Sequence, residues 1–192
     1  RLEGEADSLS MATATARNTS MIQGALTQTG GTFDFAIEGD GFFLIETPAG
    51  ERLTRAGSFS PNADGDLVTM DGYRVLDAGG APVFIPPDQT GISVAADGTL
   101  SANGQLLGEI GLVQPSDRLG LVREDGVRFR ADAGIEPAEN ATILQGFVEG
   151  SNVNPILQVS RMIEVQRDYE RGQSFLETED QRIRNAVKTL IK

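Results

Sequence analysis

Apolar residues follow two different rhythms along this chain. From Phe33 to about Val148 they alternate or gather in short runs. Phe33, Phe35 and Ile37 are separated by polar or small residues, and Phe42-Phe43-Leu44-Ile45 is a continuous apolar run bounded by glycines. Period-two alternation and short apolar runs between turn residues both read as strands. The same reading predicts strands over 67–70, 73–76, 83–85, 92–94, 106–113, 127–130 and 143–148. Asp64-Gly65, Asp71-Gly72, Asp97-Gly98, Asn103-Gly104 and Asp125-Gly126 punctuate them. Such pairs tolerate the positive φ angles that two-residue hairpin turns require. The body is therefore expected to be mainly β, a hairpin-rich antiparallel sandwich or irregular barrel.

The second rhythm begins where the first stops. Met162, Tyr169, Leu176, Ile183 and Leu190 recur every seven residues, the spacing of a seam between supercoiled helices. Asn154 can cap a helix here and Pro155 can occupy its first position without losing a needed donor, so a helix is expected from Pro155 to Lys192. Glu164, Asp168 and Asp180 stand three or four residues before arginines, which supports an exposed charged face. Gly172 is the weak point, costing about 1 kcal/mol relative to Ala, and a kink or break is expected there. The helix would be about 57 Å long at ~1.5 Å per residue. A compact body of ~120 residues is only about 35 Å across, so packing on the body could cover the first half of the stripe and not the rest. The companion positions Val165, Gly172, Glu179 and Ala186 are mixed, which makes the stripe narrow. A seam needs a partner, and assembly is the first function to consider.

Residues 1–31 are rich in Ala, Thr, Ser and Gly, with apolar anchors only at Leu9, Met11, Met21, Ile22 and Leu26. They are read as an extended arm containing at most a short helix, or as plain disorder, since so little hydrophobicity hardly offsets ordering entropy. Three parts result: an arm over 1–31, a β body over 32–150 and a coiled-coil-type helix over 151–192. Charge divides along the same lines. The chain carries 16 Lys/Arg and 28 Asp/Glu; residues 155–192 hold 7 and 6 of these, leaving 9 and 22, a net of −13, on residues 1–154. An acidic body repels phosphate backbones, so nucleic acid is not an expected partner.

Chemistry is narrowed by what is missing. The sequence has no His and no Cys, which removes imidazole bases, thiol nucleophiles, disulfides and the usual zinc ligands. No uninterrupted apolar run approaches the roughly 20 residues needed to span a bilayer, and no basic start followed by an apolar block marks a cleaved leader. No membrane insertion is expected. Ser60, Asn62, Asp64, Gly65 and Asp71 fall at positions of a calcium-binding loop, but the ends of the loop match poorly and strands flank it, so a hairpin turn is the better account. Gly39-Asp40-Gly41 lacks the glycine spacing, the lysine and the following helix of a phosphate-cradling loop. Asn18-Thr19-Ser20 and Asn140-Ala141-Thr142 match the N-glycosylation pattern, which arises often by chance. Nothing singles out a pair among the 28 acids for glycoside hydrolysis, and two tyrosines with no tryptophan make a poor sugar platform. No cofactor, metal or catalytic residue is assigned. A calcium-binding or carbohydrate-active β protein remains the alternative to an assembly subunit.

Several tracts together carry a resemblance. Phe35-Ala36-Ile37-Glu38-Gly39-Asp40-Gly41-Phe42-Phe43 is followed by Thr54-Arg55-Ala56-Gly57-Ser58-Phe59 and by Asn62-Ala63-Asp64-Gly65-Asp66-Leu67-Val68. Glu149-Gly150-Ser151-Asn152-Val153-Asn154 then leads into Met162-Ile163-Glu164-Val165-Gln166-Arg167-Asp168-Tyr169-Glu170. In this order, over about residues 24–192, they resemble the flagellar basal-body rod and hook family. The short central region and the Glu-Gly-Ser-Asn-Val-Asn form look most like its proximal rod members, with distal rod and hook subunits as the alternative.

The resemblance implies a non-enzymatic axial subunit of the basal body. It would be exported by the flagellar type III apparatus without a cleaved signal and stacked with other rod subunits in the periplasm to transmit torque. It also implies a β-rich outer domain around an inner layer of terminal helices. The family's N-terminal helix is expected upstream of Arg1. On this reading Met162, Tyr169, Leu176, Ile183 and Leu190 form the assembly interface. Gly39, Gly41, Phe42, Phe43, Asn152 and Asn154 are structural, with glycines making the turn and Phe42 or Phe43 filling the core.

Overall fold

The computed structural model describes residues 20–87 and 89–190. Leu9 and Met11, and with them most of the expected arm, lie outside the described residues, as does Lys192. The first described strands are β1 (Leu26–Gln28), β2 (Phe35–Glu38), β3 (Phe42–Thr47), β4 (Gly50–Thr54), β5 (Phe59–Pro61), β6 (Leu67–Thr69), β7 (Arg74–Leu76) and β8 (Ile92–Val94). Then come β9 (Thr99–Ala102), β10 (Gln105–Glu109), β11 (Leu112–Pro115), β12 (Leu121–Arg123), β13 (Arg128–Ala131), β14 (Ile135–Pro137), β15 (Thr142–Gln145) and β16 (Phe147–Glu149). One helix, α1 (Pro155–Leu190), follows.

β3 organises the body because its side chains are apolar on both faces. It pairs with β4 through Leu44 and Leu53, with β7 through Leu44 and Leu76, and with β11 through Phe42 and Val113. The sheet that results runs β12-β13-β4-β3-β7-β6-β5, with β11 beside β3 and β14 beside β11. Successive strand residues face opposite ways, so Phe43 and Ile45 enter one core while Phe42 and Leu44 enter another. The first core also takes Phe35, Ile37, Phe59, Leu67, Val75, Leu100, Ile110 and Ile143. It lies between the large sheet and two smaller ones, β15-β2 and β10-β9-β8. The second packs Leu53, Leu76 and Val113 under Phe129, Leu121 and Ile135. Every described ladder is antiparallel and every sheet is open, so the body is layered rather than closed.

All five turn signals fall between paired strands with the glycine at positive φ, but the four Asp-Gly pairs sit in loops longer than two residues. At Asn103-Gly104 both residues take positive φ, 50° and 82°, and join β9 to β10 in a two-residue hairpin. The calcium-like tract belongs to the β5–β6 hairpin. Asn62 Oδ1 accepts from the amides of Asp64 and Asp66 at 2.9 Å each, so its oxygen is spent on the turn.

Three expected elements come out differently. The strand expected over 106–113 divides at Ile110 and Gly111, because the Ile110 amide still bonds to Gly98 beside β9 while the Gly111 amide turns to the Leu76 carbonyl of β7. The strand over 143–148 is divided by Gly146, whose φ of 78° turns the chain between β15 and β16. Val83 to Ile85 is no strand. It makes only isolated antiparallel bridges, Phe84 with Asp66 and Pro82 with Leu76, and its Val83 and Ile85 amides bond to the Val75 and Gly65 carbonyls.

A charged cluster ties β4 to the β12–β13 hairpin on the face of the sheet opposite the second core. Arg52 on β4 is buried, and its Nε reaches Glu124 Oε2 at 2.6 Å while Arg130 Nη1 reaches Glu124 Oε1 at 3.1 Å. The Arg52 hydrogen bond holds the Glu124 carboxyl below the usual glutamate range. A carboxyl depressed in the folded state adds stability above its unfolded value, near pH 4.3, and loses it as pH falls through the lower folded value. Glu124→Gln should therefore flatten the acid limb of the stability profile while changing its neutral-to-alkaline limb little in shape. Urea midpoints recorded across the acid range check this.

Candidate assembly interface

The two ends of the described chain leave the body side by side. β1 and β16 form a two-stranded ribbon in which Leu26 faces Glu149, Thr27 faces Val148 and Gln28 faces Phe147. The Gly150 amide continues the pairing to the Ala25 carbonyl at 2.8 Å. A Cβ on Gly24 would collide with the Gly150 carbonyl oxygen, so the strands can close up here only because Gly24 has none. Beyond the ribbon, Asn152 Nδ2 donates to the carbonyls of Ser20 at 3.0 Å and Ile22 at 2.7 Å. Asn154 then caps α1, its Oδ1 accepting from the Ile156 and Leu157 amides at 3.0 and 3.3 Å.

Glu149 fastens this ribbon to the body. Its Oε2 accepts from Arg55 Nε at 2.7 Å and its Oε1 from the Gly24 amide at 2.7 Å. Arg55, largely buried against the Phe42 ring, uses Nη2 to donate to the carbonyls of Ile37 and Gly39, at 3.3 and 3.1 Å. Gln23 bridges to the same turn, donating to the Ile37 carbonyl at 2.8 Å and accepting from the Gly39 amide at 3.4 Å. The Gly39 turn is thus the anchor of the junction. Gly39 has φ of 99°, and a Cβ there would lie 2.6 Å from the Asn140 carbonyl oxygen; at Gly41 it would lie 2.9 Å from Ala141 Cβ. Phe42 and Phe43 are both buried, one in each core.

The helix itself is unlike the rest of the molecule. α1 runs without a break through Gly172, and nothing packs against that glycine. Hydrogen-bonded pairs at helical spacing line it: Asp168–Arg171, Glu179–Arg182 and Asp180–Arg184. Its apolar row stays in water. Met162, Tyr169, Leu176 and Ile183 are 60–67% exposed, while the side chain of Leu190 lies outside the description. Packing of the first half of the helix on the body, allowed by length alone, does not occur. Ile156, Leu157 and Val159 are exposed too. The body needs no cover from the helix because its sheets already face one another.

The sequence row therefore stands together on one helix, while the structural motif residues meet at the junction beneath it. Arg55, Glu149, Gln23 and Gly24 were not anticipated. The only signal was a pair of opposite charges in tracts 94 residues apart. Among the described residues no group of acids is arranged to hold a metal, and no helix is long and apolar enough to cross a membrane. Glu149→Ala should leave Arg55 buried without its partner and cost about 3 kcal/mol. Denaturant unfolding measures this, and the Gly24 amide should lose its hydrogen-exchange protection in the same variant.

Comparison with known proteins gives consistent matches. A family described as the flagellar hook protein FlgE/F/G D1 domain matches residues 36–102, and one described as the flagellar basal body rod FlgEFG protein C-terminal matches residues 144–189. The chain is 42% identical over 170 residues to the flagellar basal-body rod protein FlgF of Mesorhizobium japonicum, across 87% of this chain and 70% of that protein. It is 40% identical over 185 residues to FlgF of Caulobacter vibrioides, across 95% and 74%. To the flagellar basal-body rod protein FlgG of Bacillus subtilis it is 36% identical over 177 residues, across 85% and 67%.

Proposed function

Since the chain belongs to the flagellar basal-body rod protein family, as a structural subunit that works among the other axial proteins of the basal body, we propose that it assembles through the row Met162, Tyr169, Leu176, Ile183 and Leu190. The observation that carries this reading is the exposure of Met162, Tyr169, Leu176 and Ile183 on α1. Burying a large apolar side chain contributes about 1.5–3 kcal/mol. A row of such residues along a ~54 Å helix can hold subunits together without any other strong contact.

Its partners are the N-terminal helix that the family resemblance implies and the terminal helices of neighbouring rod subunits. The acidic body lies outside this inner layer and meets adjacent bodies. A continuous helix seated in such a layer is stiff enough to pass torque from one subunit to the next. The chain reaches the rod by the flagellar type III export apparatus and acts in the periplasm, with no nucleic acid and no bilayer insertion in its cycle. Within the rod we assign it a proximal position, supported by the short central region and the Glu149-Gly150-Ser151-Asn152-Val153-Asn154 tract.

Replacing Leu176 and Ile183 together by Asp in the full-length protein should abolish rod assembly and motility. Both side chains are exposed, so the urea midpoint of the body should stay within about 0.5 kcal/mol of the parent. Motility at the parental level in that double variant would refute the interface.

A further inference from the structure

The two larger sheets are each finished at one end and bare at the other. In the sheet β10-β9-β8 the Gln145 side chain closes β8 as a neighbouring strand would. Its Oε1 accepts from the Val94 amide at 3.2 Å and its Nε2 donates to the Ile92 carbonyl at 3.1 Å. In the large sheet residues 33–35 close β5, the Phe59 amide bonding to the Phe33 carbonyl at 3.1 Å and the Phe35 amide to the Gly57 carbonyl at 2.8 Å. The side branch of that sheet ends at β14, which Pro137 blunts. Among the described residues nothing closes β10 or β12. The Asn103-Gly104 turn makes Ala102 and Gln105 a bonded pair, so the next pair, Ser101 and Leu106, exchanges no bonds, and the Leu106 N–H and C=O point outward. The Glu124 amide bonds to the Arg128 carbonyl at 2.9 Å, and by the same rule Arg123 and Leu121 turn their main-chain groups away from β13.

We propose that β10 of one copy pairs with β12 of the next, continuing the sheet from body to body. This rests on the axial-subunit reading and names the surface through which bodies meet. Three features select a second copy as the occupant. Length matches: the ladder shifts register between Leu106 and Gly108, which keeps the free run of β10 short, and β12 has three residues. Charge matches as well. Glu109 on β10 has no cation beside it, and Arg123 on β12 gives its guanidinium only to the Gly126 carbonyl, at 3.0 and 3.3 Å. Acidic bodies repel one another, so a join that sets Glu109 near Arg123 brings opposite charges to the point of contact. Finally, the two edges are different surfaces. A head-to-tail contact between them repeats without closing, as a rod needs, and the 68% exposed Leu106 side chain is covered in the process.

The chain has no cysteine, and side chains that face each other across two strands have Cβ atoms about 4.5–5.5 Å apart, near the span of a disulfide. With E109C/R123C in the full-length protein, oxidation of isolated basal bodies should give a ladder of dimers, trimers and longer species. Either cysteine alone should give none. Adding L106P, which removes an outward N–H and no bond within the body, should cut the ladder at least about tenfold, whereas L106A keeps that N–H and should leave it intact. The urea midpoint of the body should be the same in both. Basal bodies that contain the protein but yield no ladder, dimers alone, or a ladder indifferent to L106P would overturn the pairing and leave the axial reading standing. Absence of the parent protein from basal bodies would overturn both.

Discussion

Glu149 binds two things that would otherwise drift apart, the Arg55 guanidinium of the body and the Gly24 amide of the departing arm. With the charge of each buried partner answered, the β1–β16 ribbon is locked to the Gly39 turn, and both ends of the chain leave the body at one place. A buried ion pair of this kind is weak as a source of net stability, but removing either partner strands the other. Its value here is positional. It decides where Asn152 and Asn154 stand, and through them where the helix begins.

Above that junction the balance of forces changes. The body completes two cores with its own strands, the large sheet being apolar on both sides and covered on both. Both cores are completed by the body's own residues, with none from the helix. α1 accordingly keeps a row of large side chains in water, held helical by its cap and its charged pairs rather than by tertiary packing. Exposed apolar surface of that extent on a structural protein is an unfinished contact. On the proposed reading that contact is completed among the other axial proteins of the basal body.

Much of this was legible in the residues. The Asn-Gly and Asp-Gly pairs located the hairpins because few side chains accept positive φ, and Asn154-Pro155 located the helix start because the cap chemistry is local. The seven-residue row was visible for the same reason: a helix face depends only on spacing. What sequence could not show was long-range. The Arg55–Glu149 pair joins residues 94 positions apart, and no periodicity announces it. The division of the run from Leu106 to Val113 depended on which carbonyls its amides would find in the fold. Gly172 does not interrupt the helix, since a glycine lowers helix stability without obliging a break. The length argument allowed half the helix to lie on the body, but it could not see that the body had already used its apolar faces.

The central claim is that the seam side of α1 is covered by other chain segments in the rod and open in the isolated subunit. Thiol labelling measures that directly, because the protein has no cysteine of its own. Leu176→Cys and, on the polar side, Gln181→Cys would be introduced separately into the full-length protein and labelled both as subunits and in assembled rods. The account predicts that both react readily in the subunit and that assembly protects position 176 while leaving position 181 far more reactive. Equal labelling of the two positions in the rod, or protection of position 176 already in the isolated subunit, would contradict it.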